Sequence, residues 1–146
     1  MTEQVKVYFR LQQDEDGYPG VAVESVWARP GEKSDEYILD NIPFFVREAT
    51  IGDALRVRKE EGALWFDGLA RKSLNSLIRI VFFDSDCVEK VAKEIRNLGC
   101  EAEYSKDYKL LAVNVPGNVK LSDVQAYLQR EADEGYVDFE EPILRQ

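Results

Sequence analysis

Two amphipathic segments, each set between strand-like runs, constrain this chain more than any other feature of its sequence. Val88, Val91, Ala92, Ile95 and Leu98 recur at helical spacing, Glu89, Lys90, Lys93, Glu94 and Arg96 take the opposite side, and Gly99 stands where a left-handed C-terminal cap belongs. Asp84-Ser85-Asp86 ahead of them offers an N-cap with acidic residues in the first turn, where the helix dipole favours negative charge. The second segment opens at Leu121 with Ser122 as cap and Gln125 three residues on, a capping box, and runs to about Glu134 before Gly135.

The flanking text reads as strands. Ser76 to Phe83 is apolar apart from Arg79 and predicts a buried central strand, while Cys100 to Tyr104 and Leu110 to Val115 predict two strands around the polar turn Ser105-Lys106-Asp107. Tyr136 to Glu140 is the expected closing strand, ended by Pro142. Strand, helix, strand, strand, helix, strand is the split βαβ, ferredoxin-like pattern, which places both helices on one face of a four-stranded antiparallel sheet.

The first half differs in character. Val5, Val7, Phe9 and Leu11 alternate with polar residues, Gln12 to Gly20 reads as a turn, and short strand-like pieces follow: Val21 to Arg29, Glu36 to Leu39, Phe44 to Glu48, Ala54 to Lys59 and Ala63 to Arg71. That spacing predicts a small bent sheet or partly open barrel, with Trp27, Tyr37, Phe44, Phe45, Trp65 and Phe66 supplying core area. The expected class is therefore α+β, with an aromatic-rich β sub-domain over residues 1–75 and a ferredoxin-like one over 76–146, packed as one compact unit.

Composition narrows the chemistry. Of 146 residues, 19 are Lys or Arg against 28 Asp or Glu, giving a formal charge of -9. Such a field repels nucleic acid and anionic membrane surfaces, so neither is expected as a partner. Histidine is absent altogether, which removes the usual general base, the usual nitrogen ligand for zinc or haem, and every Ser-His or Cys-His nucleophile. Two cysteines, Cys87 and Cys100, are too few for a disulfide scaffold and read as structural thiols of a reduced, cytoplasmic protein. The carboxylate pairs Glu60-Glu61 and Glu140-Glu141 arise by chance in so acidic a chain, and the glycines form no phosphate-cradling motif. No cofactor, no metal and no catalytic residue is expected.

One run of charge stands out. Glu131, Asp133, Glu134, Asp138, Glu140 and Glu141 place six acids within eleven residues and no base among them. It reads either as a solvated helix end with an edge strand, or as an acidic docking surface for a basic protein. Asp40 and Asn41, ahead of the Ile42-Pro43 step, read as turn formers with Phe44 or Phe45 pointing into the core; the alternative is a ligand loop.

Several of these blocks together resemble a known family. Glu24-Ser-Val-Trp-Ala28, Tyr37-Ile-Leu-Asp-Asn-Ile-Pro-Phe-Phe45, Ile51-Gly-Asp53, Leu64-Trp-Phe66, Ser73-Leu-Asn-Ser76 with Arg79, and Leu98-Gly-Cys-Glu101 are similar to the bacterial domain-of-unknown-function family 4265 over roughly residues 20–142. The Asp40 to Phe44 block is its most specific part, Trp27 counts with Asp40, Asn41, Pro43 and Phe44 as structural motif, and Leu74 and Leu77 stand where the family usually has glycine and threonine. The resemblance implies no activity. Similarity in type to the small, acidic bacterial proteins that act as immunity factors beside secreted toxins implies a cytosolic immunity protein that occludes a basic toxin domain, and the acidic surface and missing catalytic groups agree with that expectation. A nuclease is the case in which carboxylates would stand in for substrate phosphates. The alternative is a small-ligand regulatory module built on the ferredoxin-like half.

Overall fold

The computed structural model describes residues 3–146. The chain divides into two compact units, one ending at Ser73 and the next beginning at Leu74.

The first unit is a closed five-stranded barrel of β1 (Val5–Arg10), β2 (Val23–Pro30), β3 (Glu36–Leu39), β4 (Ala54–Glu60) and β5 (Ala63–Arg71), each strand beside the next. Successive strands pair antiparallel, so with an odd number the first and last run the same way, and the β1–β5 seam is parallel, with Val7 opposite Leu64 and Tyr8 opposite Trp65. Closure depends on two local devices. The two-residue turn Glu61-Gly62 has positive φ at both positions (52° and 79°), the primed geometry whose twist matches a tight hairpin. Extra residues in β5, one at Asp67-Gly68, where Gly68 has φ 110°, and one at Ala70, make bulges that bend the strand around the barrel. Val7, Phe9, Val26, Ala28, Leu39 and Leu55 fill the interior, and Phe9 stacks on Phe66 at 4.4 Å between centroids.

Two expectations for this unit are corrected. Phe44 to Glu48 is not a strand: the Glu24 carboxylate accepts the backbone N–H groups of Phe44, Phe45 and Val46 at 2.6, 2.8 and 2.8 Å, so the segment's donors are spent on a side chain rather than a ladder. Glu24 shares the inward face of Val26 and Ala28 but stands near the strand's start, where it meets this loop. Trp27 is not core either. It alternates with Val26 and Ala28 and is 45% exposed.

The second unit is the expected βαββαβ, with β6 (Ser76–Phe82), α1 (Val88–Asn97), β7 (Glu101–Ser105), β8 (Leu110–Val115), α2 (Leu121–Asp133) and β9 (Val137–Ile143). The sheet order is β7-β8-β6-β9, all antiparallel, with β6 central as its apolar run requires. Ile78 and Ile80 of β6, Leu111, Val113 and Val115 of β8, and Val137 of β9 form one core with Val91, Ala92 and Ile95 of α1 and Val124 and Leu128 of α2, so both helices cover the same face. The side chain of Asp84 accepts the N–H of Asp86 and caps a 3-10 turn, Ser85–Cys87, that leads into α1.

Ser122 and Gln125 form no capping box. The cap of helix α2 is Lys120, two residues earlier, and the N–H of Leu121 donates to the side chain of Gln146 (3.2 Å), whose amide in turn donates to the Val119 carbonyl (2.6 Å); Gln125 is turned instead to Glu141. Nor does Pro142 end the last strand. On β9, an edge strand, one extra residue at Glu141-Pro142 makes a bulge that places proline where no ladder donor is needed, and pairing resumes at Ile143 opposite Leu77.

Candidate functional site: an aromatic pair in an acidic rim

Strand β6 sends Ile78, Ile80 and Phe82 toward the helices, so the next residue, Phe83, must leave the core. It is 69% exposed, and its N–H donates to the carbonyl of Tyr136 (3.0 Å) at the start of β9, a residue that is itself 37% exposed. Five acids and one cation, Lys90 over the Tyr136 ring, neighbour this pair. Asp84 and Asp86 follow Phe83, Asp133 and Glu134 end α2 just before Tyr136, and Asp138 lies opposite Val81 in the β6–β9 register; all five are exposed. Exposed rings offer contact area at low entropic cost, and carboxylates beside them attract cationic groups. Phe83 was not singled out from the sequence, although a second phenylalanine at a strand end, out of phase with the buried alternation, is a readable sign.

The six acids of the run separate. Glu131 leaves the surface: it is 8% exposed, ion-paired with Lys90 Nζ at 3.3 Å, and lies against Tyr127. The hydrogen bond to Glu131 holds the Lys90 ammonium above its ordinary range, and burial together with that carboxylate pushes the Tyr127 phenol up. Lys90 also lies over the Tyr136 ring, 5.6 Å from its centroid. Glu140 is held by Arg79, a buried residue, at 3.5 Å, and Glu141 accepts from Gln125. Val137 and Phe139 face the helices, so Asp138 and Glu140 lie on the opposite face of the sheet from Asp133, Glu134 and Glu141. Asp133 accepts from Gln129 (2.9 Å) one turn earlier and remains exposed.

The motif residues of the first unit build scaffold. Asn41 Oδ1 accepts the backbone N–H of Trp27 (2.6 Å) while its amide donates to the Ile42 carbonyl, and Asp40 accepts from Gln4. Pro43 and Phe45 are buried and Phe44 is half-buried, its N–H held by Glu24. Asp53, also buried, accepts the N–H groups of Thr50 and Ser73, and the Ser73 hydroxyl donates to the Ile51 carbonyl. Ser76 Oγ accepts the N–H of Arg145. Neither cysteine is activated: burial, reinforced by Asp84, raises the Cys87 thiol, and burial raises Cys100 to about 11. Among the described residues no group of three His, Cys, Asp or Glu could hold a metal ion, and no helix is long and apolar enough to cross a membrane.

A closed five-stranded barrel followed in sequence by a ferredoxin-like unit defines the class of α+β protein to which this one belongs. The chain is a member of the family described as Domain of unknown function (DUF4265), whose pattern matches residues 24–139. A solved structure of a hypothetical protein from Neisseria gonorrhoeae is similar in fold, with a TM-score of 0.78 at 20% identity over 99% of this chain and 97% of that one. Comparison with curated proteins finds no match.

Proposed function

We propose that this is a non-catalytic, cytosolic immunity-type protein that binds and occludes a basic toxin domain through the acidic end of its second unit. The observation that carries the reading is the pair Phe83 and Tyr136, exposed and joined backbone to backbone at the sheet end bordered by Asp84, Asp86, Asp133 and Glu134, with Asp138 on the other face of the same end. The aromatics supply anchors, and the carboxylates steer a cationic surface toward them and penalise partners of like charge. A net charge of -9 extends that steering beyond contact distance.

A photo-crosslinking amino acid placed at position 83, with Trp27 as the control position, tests the reading in cells that make the protein. The expected result is an adduct with one basic protein from position 83 alone, lost when Asp133 and Asp138 are changed to lysine, and a captured protein whose toxic activity is blocked stoichiometrically. Equal adducts from both positions, or an adduct whose partner is not inhibited, would overturn it.

A further inference from the structure

The sheet of the second unit ends at β7, and no other strand among the described residues pairs with its outer side. Backbone groups along an antiparallel strand alternate between inner and outer sides, and here their phase is fixed: Arg96 donates to the Ala102 carbonyl at 2.9 Å, so that carbonyl is turned away from β8. The N–H and C=O of Tyr104, two residues on, face outward with it. Between this edge and α1 runs an open groove of about 590 Å³, floored by Val88, Ala92, Tyr104 and Leu111 and bordered by Glu89, Arg96 and Lys106. An open strand edge beside a helix, with an apolar channel between them, is the geometry that accepts an extended chain as an added strand, the backbone giving affinity and alternate side chains specificity.

The charges on β7 choose the occupant. Ala102 and Tyr104 face the helices, so Glu101 and Glu103 stand exposed on the other face. A second copy pairing antiparallel along this edge would set glutamate against glutamate, which disfavours self-association. A strand with lysine or arginine at alternate positions would meet them with opposite charge and turn its intervening apolar residues into the groove. The C-terminal ends of β6 and β7 lie at the same end of the sheet, as antiparallel pairing through β8 requires, so the groove, lined at its mouth by Ser85, opens next to Asp84 and Phe83. We infer that an extended basic-apolar segment of the partner adds to the outer edge of β7, continuing the contact made at the aromatic pair. This rests on the partner-binding reading above and names the mode by which that partner docks.

The test titrates the isotope-labelled full chain with the peptide acetyl-KVKLKV-amide and, as its charge-reversed control, acetyl-EVELEV-amide. The basic peptide is expected to shift and slow the exchange of the Ala102 and Tyr104 amides, and the acidic one to leave them unchanged. Glu103→Lys, an exposed substitution, should weaken the basic peptide by about tenfold and admit the acidic one. Arg96→Ala, which frees the Ala102 carbonyl, should tighten binding. Affinity indifferent to Glu103→Lys, shifts spread over the surface carboxylates without protection of these two amides, or concentration-dependent protection without peptide would overturn the inference. An adduct from position 83 that blocks the partner, together with any of these results, would reject strand addition while leaving the inhibitor reading in place.

Discussion

Glu24 Oε2 accepts the backbone N–H of Phe44 at 2.6 Å, and the same carboxylate takes the N–H groups of the next two residues through its other oxygen. One side chain thereby does for this loop what a neighbouring strand would do for a strand: it satisfies three consecutive donors. Glu24→Gln keeps the shape, halves the acceptor capacity and turns an amide toward N–H groups. It should cost about 1–3 kcal/mol, the range for leaving partly buried donors unmet. Thermal melts of the full chain check this, and an unchanged midpoint would show that water replaces the carboxylate without loss.

The alkaline side of the stability profile is set by groups whose folded pKa lies above the ordinary one. Cys100 rises from 9.0 to about 11 through burial, burial and Glu131 raise Tyr127, and Glu131 raises Lys90. In each case the folded state holds its proton more tightly than the unfolded chain, so the contribution is complete below the unfolded pKa and is lost as pH rises through the folded one. Stability should therefore fall between pH 9 and about 11, and Cys100→Ala should flatten that part of the curve. Melting temperatures of both proteins across this window decide it.

Gln146 closes the start of α2 from the far end of the chain. Gln146→Ala leaves the Leu121 N–H without its side-chain acceptor and should cost about 1 kcal/mol, as loss of an N-cap does. Ser122→Ala, at the position the sequence suggested as cap, should change little. The two melts, read together, separate these assignments.

How much of this was legible in the sequence depends on whether a residue's partner lies nearby in the chain. The α1 stripe, the Asp84 cap and the order of strands in the second unit are local patterns, and the structure follows them. Phe44 to Glu48 looked like a strand because nothing within a few residues shows that a carboxylate twenty positions earlier takes its donors. The Ser122–Gln125 pattern fitted a capping box, but a glutamine twenty-five residues downstream reaches the helix start first. The acidic run divides by the same rule: its six carboxylates look alike in sequence, whereas in the fold Glu131 turns inward to Lys90 and Glu140 to Arg79.

Lys90 and Glu131 yield an ordering rather than a magnitude. Lys90→Met leaves a buried carboxylate without its cation, whereas Glu131→Gln replaces the charge with a neutral group of the same shape. The first should lower the melting temperature more than the second. Glu131→Gln should also bring the tyrosinate titration of Tyr127 to lower pH, because that carboxylate contributes to raising it. Since Glu131 is not surface charge, the same change should leave partner association as it was.

Association kinetics with the partner captured at position 83 test the central claim most directly, comparing the wild-type chain with the triple variant Asp133→Asn, Glu134→Gln, Asp138→Asn at low and high salt. These three carboxylates are exposed, and their removal leaves the core, the Lys90–Glu131 pair and the Arg79–Glu140 pair in place. The account predicts a slower association rate at low salt and a flatter salt dependence, because the steering field is what has been removed. Rates unchanged at both salts would contradict it, and would reduce the acidic end of this unit to a solvated surface.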